Sequence, residues 1–329
     1  MENAVKTTSQ DNWGVIGHQR AVAILARHIE TDKINHAYLF VGPESVGKRK
    51  VATEFARTLF CLQARKPCGQ CRNCLDVAAN KQADVNLVTK TKGKIGIAQV
   101  REVQHHLSLK SYQGGYRVCI IDGVDCFTLP AANAILKILE EPGDKVVFIL
   151  LAESIEGVIP TIISRSVIIN FNLVAKAEIE KNLAMDKSSV ILTEIAQVAF
   201  GRPGLAIKYQ ADSEQLSRQQ QRQQELLQVL DQDINSSFQM INSWKVKNEQ
   251  ALEFINAMTK YFRDLIVSQA HCPELALTQS NQVATKKFSR QQIRNILNYL
   301  VTASKLLTHN VNPKLVIENF IVMLHHDQV

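Results

Sequence analysis

Ala37-Tyr38-Leu39-Phe40-Val41-Gly42-Pro43-Glu44-Ser45-Val46-Gly47-Lys48-Arg49 reads as a strand, a glycine-bearing loop and the start of a helix. The first five residues form a short apolar run of the kind that builds a parallel strand buried on both faces. Gly42-Pro43-Glu44-Ser45-Val46-Gly47-Lys48 then matches GxxxxGK, and Arg49 to Phe60 carries apolar residues at helical spacing. In that order the three pieces make a phosphate cradle: backbone N–H groups at the loop and helix start hold oxygens, and the lysine adds charge. The bland alternative is a strand-to-helix turn with incidental glycines; the full spacing, the lysine and both flanks together weigh against it.

Working outward, further apolar β-rich runs stand at Val85 to Val88, Arg117 to Ile121, Val146 to Leu151 and Val167 to Phe171. Helical periodicity marks Gln19 to Ile29, Ala98 to Leu107 and Ala131 to Leu139. Strands alternating with helices predict an α/β domain with a helix-covered parallel sheet, ending near residue 171. Beyond it the β-rich runs stop. A short helical stretch ends near Gly201-Arg202-Pro203-Gly204, where glycine and proline interrupt a helix, and predicts a small second domain over 172–211. The Gln-rich stretch after Asp212 has Leu216, Leu226, Leu227 and Leu230 at near-helical intervals, which favours a helix over a disordered linker. Ala251 to Val267, Gln291 to Leu307 and Lys314 to Leu324 continue the pattern, so 212–329 is expected to be all-helical.

The 329 residues exceed what one hydrophobic core usually serves, in keeping with several domains. With 46% apolar and 21% charged residues the composition is that of a folding chain, not a disordered one. No apolar run reaches the roughly 18 residues that span a bilayer, and the N-terminus lacks a signal-peptide layout, so a cytoplasmic location is the default expectation. A net charge of +7 suits acidic partners only weakly, being small for the length and spread along it. Lys90, Lys92, Lys94 and Arg101 read as a solvated basic stretch more readily than as a nucleic-acid contact, and His105 and His106 receive no role.

Of seven cysteines, Cys61, Cys68, Cys71 and Cys74 crowd into one excursion, while Cys119, Cys126 and Cys272 are isolated. Two successive CxxC spacings with turns at Pro67 and Gly69 let four thiolates converge, which suits tetrahedral zinc; an iron–sulfur cluster uses similar ligands. Four protein ligands leave no open position, so the centre is expected to be structural.

The phosphate loop is incomplete. Where Ser or Thr would hold magnesium, the residue is Arg49, which cannot ligate a cation. Val118-Cys119-Ile120-Ile121-Asp122 resembles a Walker B segment, with Asp122 positioned to bind magnesium directly or through water, but its neighbour is Gly123 where related ATPases commonly carry the carboxylate that polarises the attacking water.

Four phrases then coincide in order: His36-Ala37-Tyr38-Leu39-Phe40 before the loop, the cysteine insert, Asn133-Ala134-Ile135-Leu136-Lys137-Ile138-Leu139-Glu140-Glu141-Pro142, and Ile163-Ser164-Arg165-Ser166. Together they resemble the AAA+ subunits of bacterial clamp loaders, and Asn310-Val311-Asn312-Pro313-Lys314-Leu315 followed by an apolar helix looks like that family's C-terminal collar helices. The resemblance covers nearly the whole chain. It implies an AAA+ P-loop domain over 1–171 with a structural zinc insert near 61–74, a helical lid over 172–211 and a helical collar for oligomerisation over 212–329. Arg49 and Gly123 favour the delta-prime branch, whose nucleotide sites are often altered, over the gamma/tau ATPases. A third departure aligns Gly204 with the family's sensing arginine, with Arg202 nearby as a partial substitute.

The resemblance further implies that Arg165, in a Ser-Arg-Cys motif altered here to Ser164-Arg165-Ser166, reaches the ATP site of a neighbouring subunit. The bland alternative is a surface arginine paired with a local acid. Expected partners are gamma/tau and delta subunits, with the sliding clamp and primer–template DNA met through the assembled complex of DNA polymerase III. Gly42 to Lys48 with Asp122 would hold ATP or ADP without hydrolysing it. Two other classes stay open: an active gamma/tau-like ATPase using Lys48 and Asp122, and a nucleotide-independent DNA-binding protein on a decayed ATPase fold.

Overall fold

The computed structural model describes residues 13–108, 111, 115–183, 189–244, 246–270, 288–308 and 311–326. Cys272 and Asn310 lie outside them, as does nearly all of the N-terminal segment read above. The chain divides into two compact units, one of residues 1–174 with 202–205, the other of 175–201 with 206–329.

The first unit runs α1 (Gln19–Glu30), β1 (Ala37–Val41), α2 (Lys48–Phe60), α3 (Arg72–Ala78), β2 (Val85–Thr89), α4 (Ile97–Ser108), β3 (Arg117–Asp122), a 3-10 turn (Val124–Cys126), α5 (Leu129–Glu140), β4 (Val146–Ala152), α6 (Pro160–Ile163) and β5 (Val167–Asn170). The strands form one parallel sheet in the order β2-β3-β4-β1-β5. Both sheet faces are apolar, which is why the strands read as unbroken apolar runs. Tyr38, Phe40, Val118, Ile120, Val147 and Ile149 point to one core with Val51 and Phe55 of α2. Their neighbours Ala37, Leu39, Cys119, Ile121, Phe148 and Leu150 point to the other, with Val100 and Val103 of α4 and Ile135 and Leu139 of α5. The alternation is the two-residue period of a strand divided between two helical layers. α5 begins at Leu129, two residues before the predicted start, because Thr128 caps it by accepting the Ala131 N–H at 3.4 Å and proline occupies its first turn.

The remaining elements are α7 (Lys176–Asn182), α8 (Ser189–Val198), α9 (Pro203–Ala211), α10 (Ser213–Leu227), a 3-10 turn (Gln228–Leu230), α11 (Ile234–Ser243), α12 (Asn248–Gln269), α13 (Arg290–Thr308) and α14 (Pro313–His326). The Gln-rich stretch is the helix α10, started by Asp212, whose carboxylate accepts the Gln215 N–H at 3.0 Å. Leu216 and Leu226 are buried while the glutamines are not. Phe254, Phe262 and Phe320 centre the second unit's core, with rings edge-on at 5.5 and 6.4 Å. Leu300 and Leu307 enter that core and Leu306 stays exposed.

Candidate nucleotide site, metal centre and surface arginine

The phosphate loop leaves β1 at the carboxyl edge of the sheet, with β1 held between β4 and β5. The chain's connections reverse direction there, which is where open parallel sheets gather ligands. Gly42 N–H donates to the Ala152 carbonyl at 3.2 Å and Phe171 N–H to the Val41 carbonyl at 2.7 Å, so both neighbouring strands fix the root of the loop. His18 donates from Nε2 to the Val46 carbonyl at 2.9 Å, and its ring packs on Phe171 with centroids 4.8 Å apart. Sequence reading missed His18, since 28 residues separate it from the carbonyl it supports and no spacing pattern links them.

Gly47 precedes the first turn of α2 and Lys48 opens it. A helix start leaves amides without intrahelical partners, so this end of α2 can meet an anion. The Lys48 side chain is buried, and its ammonium donates to the Gly42 carbonyl and, at 2.8 Å, to the Pro43 carbonyl. Burial pulls Lys48 below the usual lysine range, against the opposing charges of Glu153, Asp122, Asp125 and Glu44.

Asp122 ends β3, and burial holds its carboxyl above the usual carboxylate range, against the pull of Arg49, Lys48 and Lys90. Lys90, read from sequence as part of a basic stretch, is ion-paired with Glu153 at 2.9 Å. Asp125 accepts the Glu153 N–H at 2.8 Å through Oδ2, while its Oδ1 is buried without a hydrogen-bond partner. Gly123 takes φ +110, a conformation L side chains rarely adopt, and a Cβ there would come 2.6 Å from Lys90 Cγ. A side chain at 123 would therefore be strained in this conformation. Gly204, counted with the first unit, donates its N–H to the Ser45 carbonyl at 2.8 Å, and a Cβ would lie 2.7 Å from that oxygen. No arginine fits at 204 in this conformation.

Arg165 follows α6 on the way to β5. Its Nη2 donates to Glu140 Oε1 at 2.9 Å and its Nη1 to the Thr161 carbonyl at 3.2 Å. The two side chains of the ion pair are 34% and 52% exposed. A pair so open to water contributes about 0.2–1 kcal/mol, so it opposes little any move of Arg165 toward another anion.

The four cysteines converge as their spacing implies. Cys61 ends α2, Cys71 caps α3, and Cys74 lies in the first turn of α3, three residues on and therefore on the same side of that turn. Their sulfurs all lie within 4.8 Å of one another, with Cys68 and Cys74 at 3.9 Å. A tetrahedral centre with zinc–sulfur bonds of about 2.3 Å separates its sulfurs by about 3.8 Å, so the cluster fits such an ion with small adjustment. The Cys68 N–H donates to Cys61 Sγ at 3.4 Å and the Cys71 N–H to Cys68 Sγ at 3.3 Å. Amide donors at Cys71 and Gln70 lower the Cys68 thiol, while burial raises that of Cys74. Glu54, buried in α2, is held beside this insert by Arg57 at 2.7 Å and Lys50 at 2.6 Å.

Residues 17–175 match the family described as "DNA polymerase III, delta subunit". DNA polymerase III subunit delta-prime of Bacillus subtilis is 27% identical over 315 residues, spanning 93% of this chain and 95% of that protein. The chain belongs to the delta-prime family of DNA polymerase III clamp-loader subunits. The Haemophilus influenzae delta-prime subunit is 34% identical over 180 residues, 53% of this delta-prime family member and 54% of that protein. The gamma/tau subunit of Mycobacterium tuberculosis is 36% identical over 155 residues, covering 46% of the chain but 27% of its own length. The fold is also that of a DNA polymerase III gamma subunit-related protein from Thermotoga maritima, at TM-score 0.51 and 15% identity over 93% of this chain and 99% of that one. Among the described residues no helix is long and apolar enough to cross a membrane.

Proposed function

We propose that this delta-prime family member is an accessory subunit of the clamp loader, keeping a phosphate cradle without hydrolysing ATP and lending Arg165 to a neighbouring gamma/tau subunit. The loader as a whole opens the ring-shaped sliding clamp and sets it on primer–template DNA, with gamma/tau and delta subunits as this chain's direct partners. The observation that carries the reading is one edge of one sheet, where a GxxxxGK loop is flanked by Arg49 and Gly123 at the posts of metal ligand and water activator.

In this scheme Gly42, Pro43, Glu44, Ser45, Val46, Gly47 and Lys48 surround the phosphates of ATP or ADP, with Asp122 facing them from β3. Without a hydroxyl beside Lys48 or a carboxylate at 123, nothing orients an attacking water. The catalytic contribution moves to Arg165. A guanidinium meets the γ-phosphate of the adjacent subunit in forked geometry and stabilises charge that develops as the bond breaks. Its local partner, Glu140, supports the bland alternative in the free chain and is a weak competitor in the assembly, for the pair is exposed. Cys61, Cys68, Cys71 and Cys74 hold a structural zinc ion that ties the end of α2 to α3. Residues 172–211 act as the lid and 212–329 as the collar through which subunits assemble.

Reconstitution with gamma/tau and delta subunits tests this directly. With Arg165→Ala the complex is expected to assemble normally, while clamp- and DNA-stimulated ATP turnover falls. Loss of an arginine finger costs about a thousandfold or more at the site it serves, diluted in bulk by intact sites. Normal turnover by a correctly assembled variant complex would overturn the assignment, and turnover by the isolated parent chain would instead support an active ATPase.

A further inference from the structure

We propose that Arg49 takes the place of the divalent cation in this pocket, so that the chain binds a nucleoside di- or triphosphate through its β-phosphate without magnesium. The inference rests on the phosphate-cradle reading above and deepens it.

In a complete GxxxxGK[ST] site the hydroxyl after the lysine and the aspartate at the neighbouring strand end share one ion. Register places the corresponding edges here. Leu151 of β4 pairs with Phe40 on one side and Asp122 on the other, so Asp122 and the root of the loop face each other across two strand spacings, about 10 Å. Arg49, in the first turn of α2, is exposed and is the foremost cation acting on Asp122, ahead of Lys48 and Lys90. Arg49 thus occupies the helix position, directly after Lys48, from which the hydroxyl of a complete site would reach the ion.

The residues do not fit magnesium. That ion asks for octahedral oxygen ligation and tolerates no ammonium or guanidinium as ligand. Of the carboxylates at the strand end, Glu153 is taken by Lys90, and Asp125 accepts the Glu153 amide through Oδ2 while its Oδ1 is buried without a hydrogen-bond partner; Asp122 lies within the pull of Arg49, Lys48 and Lys90. A guanidinium at the helix position of the hydroxyl repels a dication where the hydroxyl would have welcomed one. It does fit a phosphate, since it is always charged and presents parallel donors to two oxygens. Lys48 from within the loop and Arg49 from its rim then supply the charge that a lysine and an ion supply elsewhere. The bound nucleotide is inert, held as a structural ligand, because the same substitution that replaces the metal removes the means of polarising the γ-phosphate.

The test is equilibrium titration of the full-length chain with a fluorescent N-methylanthraniloyl ADP, in excess MgCl2 and in excess EDTA. The parent is expected to bind equally in both, within about threefold. Arg49→Thr restores the hydroxyl and is expected to bind about tenfold or more weakly in EDTA, about the effect of one charge-assisted hydrogen bond, and to recover when magnesium is added. Arg49 is exposed, so the variant should fold, and matching thermal melts by circular dichroism verify this. A parent that needs magnesium overturns the inference and leaves the cradle standing, as does Arg49→Thr behaving like the parent in both buffers. No binding in either buffer overturns inference and cradle together, while the role of Arg165 is judged separately by turnover of the assembled complex.

Discussion

Gly123→Glu would set a carboxylate beside Asp122 at the end of β3, and the fold opposes it. At φ +110 an L side chain is strained by about 1–3 kcal/mol. Its new Cβ would lie 2.6 Å from Lys90 Cγ and 2.7 Å from Cδ. Those methylenes belong to a flexible chain and can swing aside, but moving them releases Lys90 from Glu153. That pair, with side chains 33% and 46% exposed, is worth about 0.2–1 kcal/mol. We expect a loss of about 2 kcal/mol in all, or roughly 4–8 °C in Tm for a unit of this size. Urea unfolding of the parent, Gly123→Ala, Lys90→Ser and the double variant separates the contributions. Alanine brings the backbone strain and the clash without adding a charge that could re-pair with Lys90. Once Lys90 is shortened the clash disappears, so the two substitutions should be non-additive by the cost of relieving it, the lost Lys90–Glu153 pair included. Gly123→Ala within about 0.5 kcal/mol of the parent, the range of an ordinary surface change, would refute the idea that the backbone is built around glycine here.

Two further outcomes are expected. Purified protein should carry about one zinc per chain, and Cys74→Ser should lower both metal content and the unfolding midpoint, since a structural zinc site contributes folding energy outright; metal-free protein with four freely titratable thiols would remove the centre. Asp122→Asn should stabilise the chain at neutral pH. Burial raises the folded carboxyl above its ordinary value of 3.8, so the folded state holds that proton more tightly than the unfolded one, and stability from this group is present at low pH and lost as pH rises through the folded value. The difference between parent and variant in urea midpoint should therefore widen from acid to neutral pH, and a difference that shrinks would contradict the assigned sign.

Much of the sheet domain was legible because its strands carry their own boundaries. Ala37 to Val41 is apolar throughout and stops at a glycine, and the strand forms over those five residues. The zinc-type cluster was legible for a similar reason: all its ligands sit within one short excursion, where spacing nearly fixes geometry. Contacts between distant segments were not. Nothing near His18 announces the Val46 carbonyl, and Lys90 looked like one of several solvated lysines until β4 brought Glu153 beside it. The strand order itself, with β1 inserted between β4 and β5, is set by packing choices that no single strand encodes. The departures from an ATPase show both kinds of information at once. Arg49, Gly123 and Gly204 are plain in the sequence, whereas the structure adds the surroundings of the two glycines: a backbone angle that strains a side chain at 123, and a loop carbonyl that fills the room an arginine at 204 would need. A pocket that had simply lost its catalytic residues would accept them back. Here a Cβ at 123 or at 204 meets neighbouring atoms, while Arg165 stands on the surface in an exposed ion pair. On the proposed reading, these are the two halves of one arrangement, in which the subunit gives up turnover at its own site and keeps the cation that its neighbour needs.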